Sequence, residues 1–102
     1  MSRIIVIHTD LSRISKNDLL RKTDRQETAL CFLANGIKEV KSEGEGMKMI
    51  LYFLKSEVDE FDRLLIEAPE KIMVKWPTVV AALNHWKDLY AMLKSLQKSN
   101  GT

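Results

Sequence analysis

Near the amino terminus four β-branched residues follow one another without a break, Ile4-Ile5-Val6-Ile7. Branching at Cβ stiffens the side chain, disfavours helix and suits a pleated strand. A run with no polar position reads as a strand covered on both faces, the kind found inside parallel sheets. The chain is therefore expected to build a sheet, with its first strand near residues 3–8.

Periodicity assigns the rest. Residues 8–23 are polar, and Leu11, Ile14, Leu19 and Leu20 cover a short helical turn at most. Thr23 followed by Gln26 has the form of a capping box, and Leu30, Leu33, Ile37 and Val40 fall on one stripe with Ala29 and Ala34 beside it. A helix over 24–41 is expected, stopped by Gly44. Ser42-Glu43-Gly44-Glu45-Gly46 reads as an acidic flexible loop.

The next segment fits two templates. Residues 48–54 form an apolar strand followed by a helix capped by Ser56 with Val58, Phe61, Leu65 and Ala68 inward; alternatively one helix runs from Met47 to Ile66. Strand then helix is preferred, because a single helix leaves Met49, Tyr52 and Phe53 off its stripe and the Ser56 start signal idle. Residues 71–76 alternate, with Ile72, Val74 and Trp76 opposite Lys71, Met73 and Lys75, as an edge strand does. A long final helix presents Val79, Ala82, Leu83, Trp86, Leu89, Tyr90, Leu93 and Leu96 on one face.

The expected fold is thus α/β. It is one domain over residues 1–102, with a small three-stranded, mostly parallel sheet (strands near 3–8, 48–54 and 71–76) and helices near 24–41, 57–67 and 78–97. The alternative is a mostly α chain with a two-stranded sheet. At 45% hydrophobic and 29% charged the composition is that of a soluble globular protein, not a disordered tail or a disulfide framework. The single cysteine, Cys31, excludes an intrachain disulfide and a multi-cysteine zinc site, and reads as a structural, partly exposed residue. No signal-peptide core and no membrane-spanning apolar run is evident, so a cytoplasmic location is expected.

Charge is uneven. Residues 1–25 and 71–102 carry an excess of bases and residues 26–70 an excess of acids, yet the net charge of +2 lacks the dense patch of a nucleic-acid binder. The four glycines, Gly36, Gly44, Gly46 and Gly101, do not follow the first strand, so neither a dinucleotide fingerprint nor a phosphate loop is present and no cofactor is expected. Two histidines without helical i, i+4 spacing give no support to a metal site.

Two places carry candidate chemistry. In an open parallel sheet a ligand sits at the carboxyl ends of the strands. That location holds His8 and Asp10, an acid–base pair should the protein be an enzyme, and Thr9, Ser12, Arg13 and Lys16, suited to an anionic ligand. The second place is an interface of Trp76, His85, Trp86 and Tyr90, residue types that dominate partner contacts. The preferred expectation is a non-catalytic binding or regulatory module, homodimeric or a higher homo-oligomer, with a possible protein partner. The alternatives are an anion-binding or enzymatic domain at the end of the first strand and, more weakly, a nucleic-acid binder.

Overall fold

A computed structural model describes residues 4–14, 19–72 and 76–100. Four strands and three α-helices follow in the order β1 (Ile4–Thr9), β2 (Leu20–Thr23), α1 (Gln26–Ala34), β3 (Lys41–Glu45), β4 (Lys48–Leu54), α2 (Lys55–Glu67) and α3 (Trp76–Asn100), with a 3-10 turn at Pro69–Lys71. The class is α/β as expected, but the sheet has four strands in the order β1-β3-β4-β2 and every pairing is antiparallel.

The two extra strands arise where the sequence is polar. Lys41–Glu45, expected as helix end and loop, is β3, and the only residues between it and β4 are Gly46 and Met47. Gly46 takes the positive φ (62°) that a two-residue hairpin turn demands, so a glycine read as loop flexibility is a hairpin signal. Leu20–Thr23 pairs with β4 from Leu20↔Leu54 to Thr23↔Leu51. Thr23 therefore ends a strand instead of capping a helix, and its Oγ1 accepts a hydrogen bond from the Arg25 amide at 3.2 Å.

Helix α1 ends at Ala34 and not near Lys41. Gly36, in the left-handed region with φ 85°, terminates it: its amide donates to the Leu33 carbonyl (3.2 Å) and the Ile37 amide to the Phe32 carbonyl (2.9 Å). Ile37 then packs beside Phe32 in the core, the apolar contact that accompanies such a cap.

The fork at residues 48–54 resolves as strand then helix, though α2 begins at Lys55 with no side-chain cap, so Ser56 does not start it. Met49, Leu51 and Phe53 of β4 point to the helical layer, where Phe32 meets Phe53 and Phe61 edge-on at ring separations of 5.0 and 6.1 Å. Leu65, expected in this core, is exposed. The expected face of α3 is buried or half-buried throughout, with Ala82, Leu89 and Leu93 deepest.

The expected strand over 71–76 is not formed at its two described ends: Lys71 closes the 3-10 turn and Trp76 opens α3, while residues 73–75 lie outside the described residues. Nor is β1 covered on both faces. It is an edge strand whose Ile5 and Ile7 pack on the core while Ile4 and Val6 stand 58% and 53% exposed. An all-apolar stretch looks the same whether one face or two are buried, so composition alone could not separate them. Among the described residues no helix is long and apolar enough to cross a membrane.

Candidate functional site

Turn chemistry shapes the end of β1. The ladder slips between Val6 and His8, leaving His8 exposed and opposite Ser42, with Thr9 opposite Lys41. The Asp10 amide donates to the Val40 carbonyl at 2.7 Å, and a turn follows in which the Arg13 amide reaches the Asp10 carbonyl at 3.2 Å. The Asp10 carboxylate accepts from both the Ser12 hydroxyl (2.5 Å) and the Ser12 amide (3.2 Å). Those hydrogen bonds, with Arg13 and His8 nearby, hold its carboxyl below the usual aspartate range. Asp10 is thus engaged in its own turn, and no hydrogen bond joins it to His8 among the described residues. Lys16 lies outside the described residues.

Arg13 turns away from this mouth. Its Nη2 pairs with Glu57 Oε1 at 2.9 Å and its Nη1 donates to the Glu39 carbonyl at 3.4 Å, tying the β1 turn to α2 and to the connection before β3. Glu39 is the residue the sequence did not single out. Its carboxylate is 1% exposed and accepts from His85 Nε2 of α3, one oxygen in short contact and the other at 3.0 Å. Arg13 and His85, named separately from the sequence, therefore converge on one residue, through its carbonyl and its carboxylate. Ending the helix at Asn35-Gly36 was the signal that would have released Glu39 from a helix surface.

His85 borders an open cleft of about 230 Å³ with Leu33, Gly36, Lys38, Thr78, Ala81 and Ala82. Gly36, just past the end of α1, and Ala81 and Ala82 of α3 border it with little or no side chain to fill the space. A larger hollow of about 380 Å³ lies between Asn35 and Ile37 on one side and Ser56, Glu57, Glu60, Phe61 and Leu64 of α2 on the other. Its two carboxylates are already paired, Glu57 with Arg13 and Glu60 with Arg63.

The proposed interface residues divide. Trp76 is 75% exposed at the start of α3, whereas Trp86 and Tyr90 pack against the core. Cys31 is exposed on α1. Among the described residues no group of three histidine, cysteine or acidic side chains could hold a metal ion.

On the sheet face away from the helices, Tyr52 donates its hydroxyl to Glu43 Oε1 at 2.6 Å and Lys41 Nζ lies 3.2 Å from Glu43 Oε2. The Tyr52 hydrogen bond, then Lys41, draw the Glu43 carboxyl down, and the same bond with burial pushes the Tyr52 phenol up to about 12. This polar centre is flanked by Ile4 and Val6 of β1, whose register partners are Glu45 and Glu43.

Compared with known protein families, curated proteins and solved structures, the chain matches none.

Proposed function

We propose that this chain is a small non-catalytic binding or regulatory module that works as a homodimer, two copies joining edge to edge through β1. The observation that carries the reading is the contrast between the two edges of the sheet. The β2 edge is four residues long and carries Arg21 and Lys22, which is how natural sheets blunt an edge. The β1 edge is six residues long and opens with Ile4-Ile5-Val6-Ile7, free of lysine, proline and glycine; its ladder slips between Val6 and His8, mid-strand, and runs in regular register over Ile4–Val6.

An unblunted edge pairs readily with its own kind, since a twofold axis sets two copies of one strand antiparallel. The joined sheet would run eight strands, and Ile4 and Val6 of both copies would form one apolar strip on the helix-free face. Sedimentation of the purified chain tests this, alongside a variant carrying Ile4→Lys and Val6→Lys. Both positions are exposed, and a lysine at position 6 faces Glu43 across the ladder, so the fold should be kept. A dimeric parent and a monomeric variant with unchanged circular dichroism are expected. A parent that stays monomeric at high concentration, or a variant that still dimerises, overturns the reading.

A further inference from the structure

We propose that the cleft between the Gly36 turn and the first half of α3 binds a small organic monoacid, its carboxylate held by Lys38, His85 and Thr78. The inference goes beyond the homodimer reading and involves neither β1 nor the helix-free face.

Its first support is the Glu39–His85 pair. A carboxylate that is 1% exposed has been stripped of its water, and an apolar pair of similar volume would serve stability as well or better. What the pair does provide is a fixed imidazole. With Nε2–H donating to Glu39, the nitrogen left for other partners is Nδ1, on a ring that is 35% exposed and borders the cleft. A histidine oriented from behind by a carboxylate and open in front is arranged to meet a ligand.

Charge selects the ligand. Lys38 borders the same cleft and takes part in no ion pair among the described residues. Glu39 lies behind the imidazole, so Lys38 is the cation left in the cleft to match a single negative charge. A dianion such as phosphate would face the Glu39 charge uncompensated. Leu33, Ala81 and Ala82 give the cleft an apolar floor suited to a hydrocarbon body. At about 230 Å³ it has room for roughly eight water-sized groups, the scale of benzoate.

Titration of the full chain with benzoate, followed by amide NMR, tests the proposal. Resonances of Gly36, Lys38, Thr78, Ala82 and His85 should move together on one binding curve. Benzamide, the uncharged counterpart, should leave them in place, and inorganic phosphate should bind more weakly than benzoate. Lys38→Ala and His85→Gln should each weaken benzoate by about tenfold or more, the effect of losing one hydrogen bond to a charged group. The glutamine amide can still donate to Glu39, so the buried carboxylate keeps a partner. Should His85→Gln lose its thermal transition, the exposed Lys38→Ala decides alone. No response to benzoate, an equal response to benzamide, phosphate binding as tight as benzoate, or full affinity in Lys38→Ala overturns the assignment.

Discussion

Leu93 of α3 lies directly over Gly44 of β3, its isobutyl group occupying the space a side chain at position 44 would fill. A Cβ there would fall 2.7 Å from Leu93 Cδ2, 2.9 Å from Cγ and closer still to Cδ1. Gln97, one turn further along α3, donates to the Gly46 carbonyl at 2.5 Å, so the hairpin and the last helix are joined at two successive points. Gly44 is thus where the helical layer is allowed to approach the sheet, and Leu93, 1% exposed, is what fills the approach.

Gly44→Ala should therefore cost about 1–3 kcal/mol by overpacking, and Leu93→Ala about 2–5 kcal/mol by leaving a cavity. Combined, the two changes should cost clearly less than their sum, because the new methyl occupies part of the space the leucine leaves. Urea unfolding of the parent, both single variants and the double variant measures the coupling. Simple additivity would refute the contact.

Gly36 offers the opposite case. A Cβ there would have nothing within 4 Å, so crowding plays no part, but φ is 85°. Gly36→Ala should cost about 1 kcal/mol from the left-handed backbone alone, and Gly36→Asn less, since asparagine tolerates that region better. Equal losses for the two variants in thermal melts would contradict this account.

Removing either half of the Glu39–His85 pair should have unequal effects. His85→Ala leaves a buried carboxylate without its partner and should cost about 3 kcal/mol, the lower end of the range because the ring reaches solvent. Glu39→Gln keeps an acceptor for the imidazole and should cost about 1 kcal/mol. Chemical denaturation resolves the two, and Glu39→Gln proving the more harmful would reverse the argument.

The Tyr52–Glu43 hydrogen bond predicts a pH window. Tyr52 is raised in the folded chain to about 12, so its contribution is complete below the ordinary tyrosine value near 10 and disappears as pH climbs to about 12. Glu43 is lowered, so its contribution is complete above the ordinary glutamate value near 4.3 and is lost as pH falls through its folded value. Between those limits Tyr52→Phe should cost about 1 kcal/mol, a modest figure because water competes on the helix-free face. Beyond either limit the difference from the parent should shrink. In absorbance titration the variant should also lose the tyrosinate phase near pH 12. A constant difference across the whole range would rule out this coupling.

What could be read from the residues alone was whatever repeats locally. The apolar face of α3, the strand over Lys48–Leu54 and the helix after it each leave a strong periodic trace, because neighbouring residues of one element face the same core. Ile4–Ile7 likewise announced a strand. It could not say that the strand lies at an edge, since coverage depends on elements far along the chain.

Tertiary structure alone decided the pairing. β2 and β3 are short and polar, with sequences that would pass for loop, and become strands only because β4 offers a ladder on both sides. The candidate site follows the same division. Arg13 and His85 were visible as residues able to bind, but what unites them is Glu39, a residue that local reading placed on a helix and that lies 26 positions from one and 46 from the other. Chemistry of single side chains is local and legible; the burial of that carboxylate, which gives His85 its orientation, exists only once α1, β3 and α3 have come together.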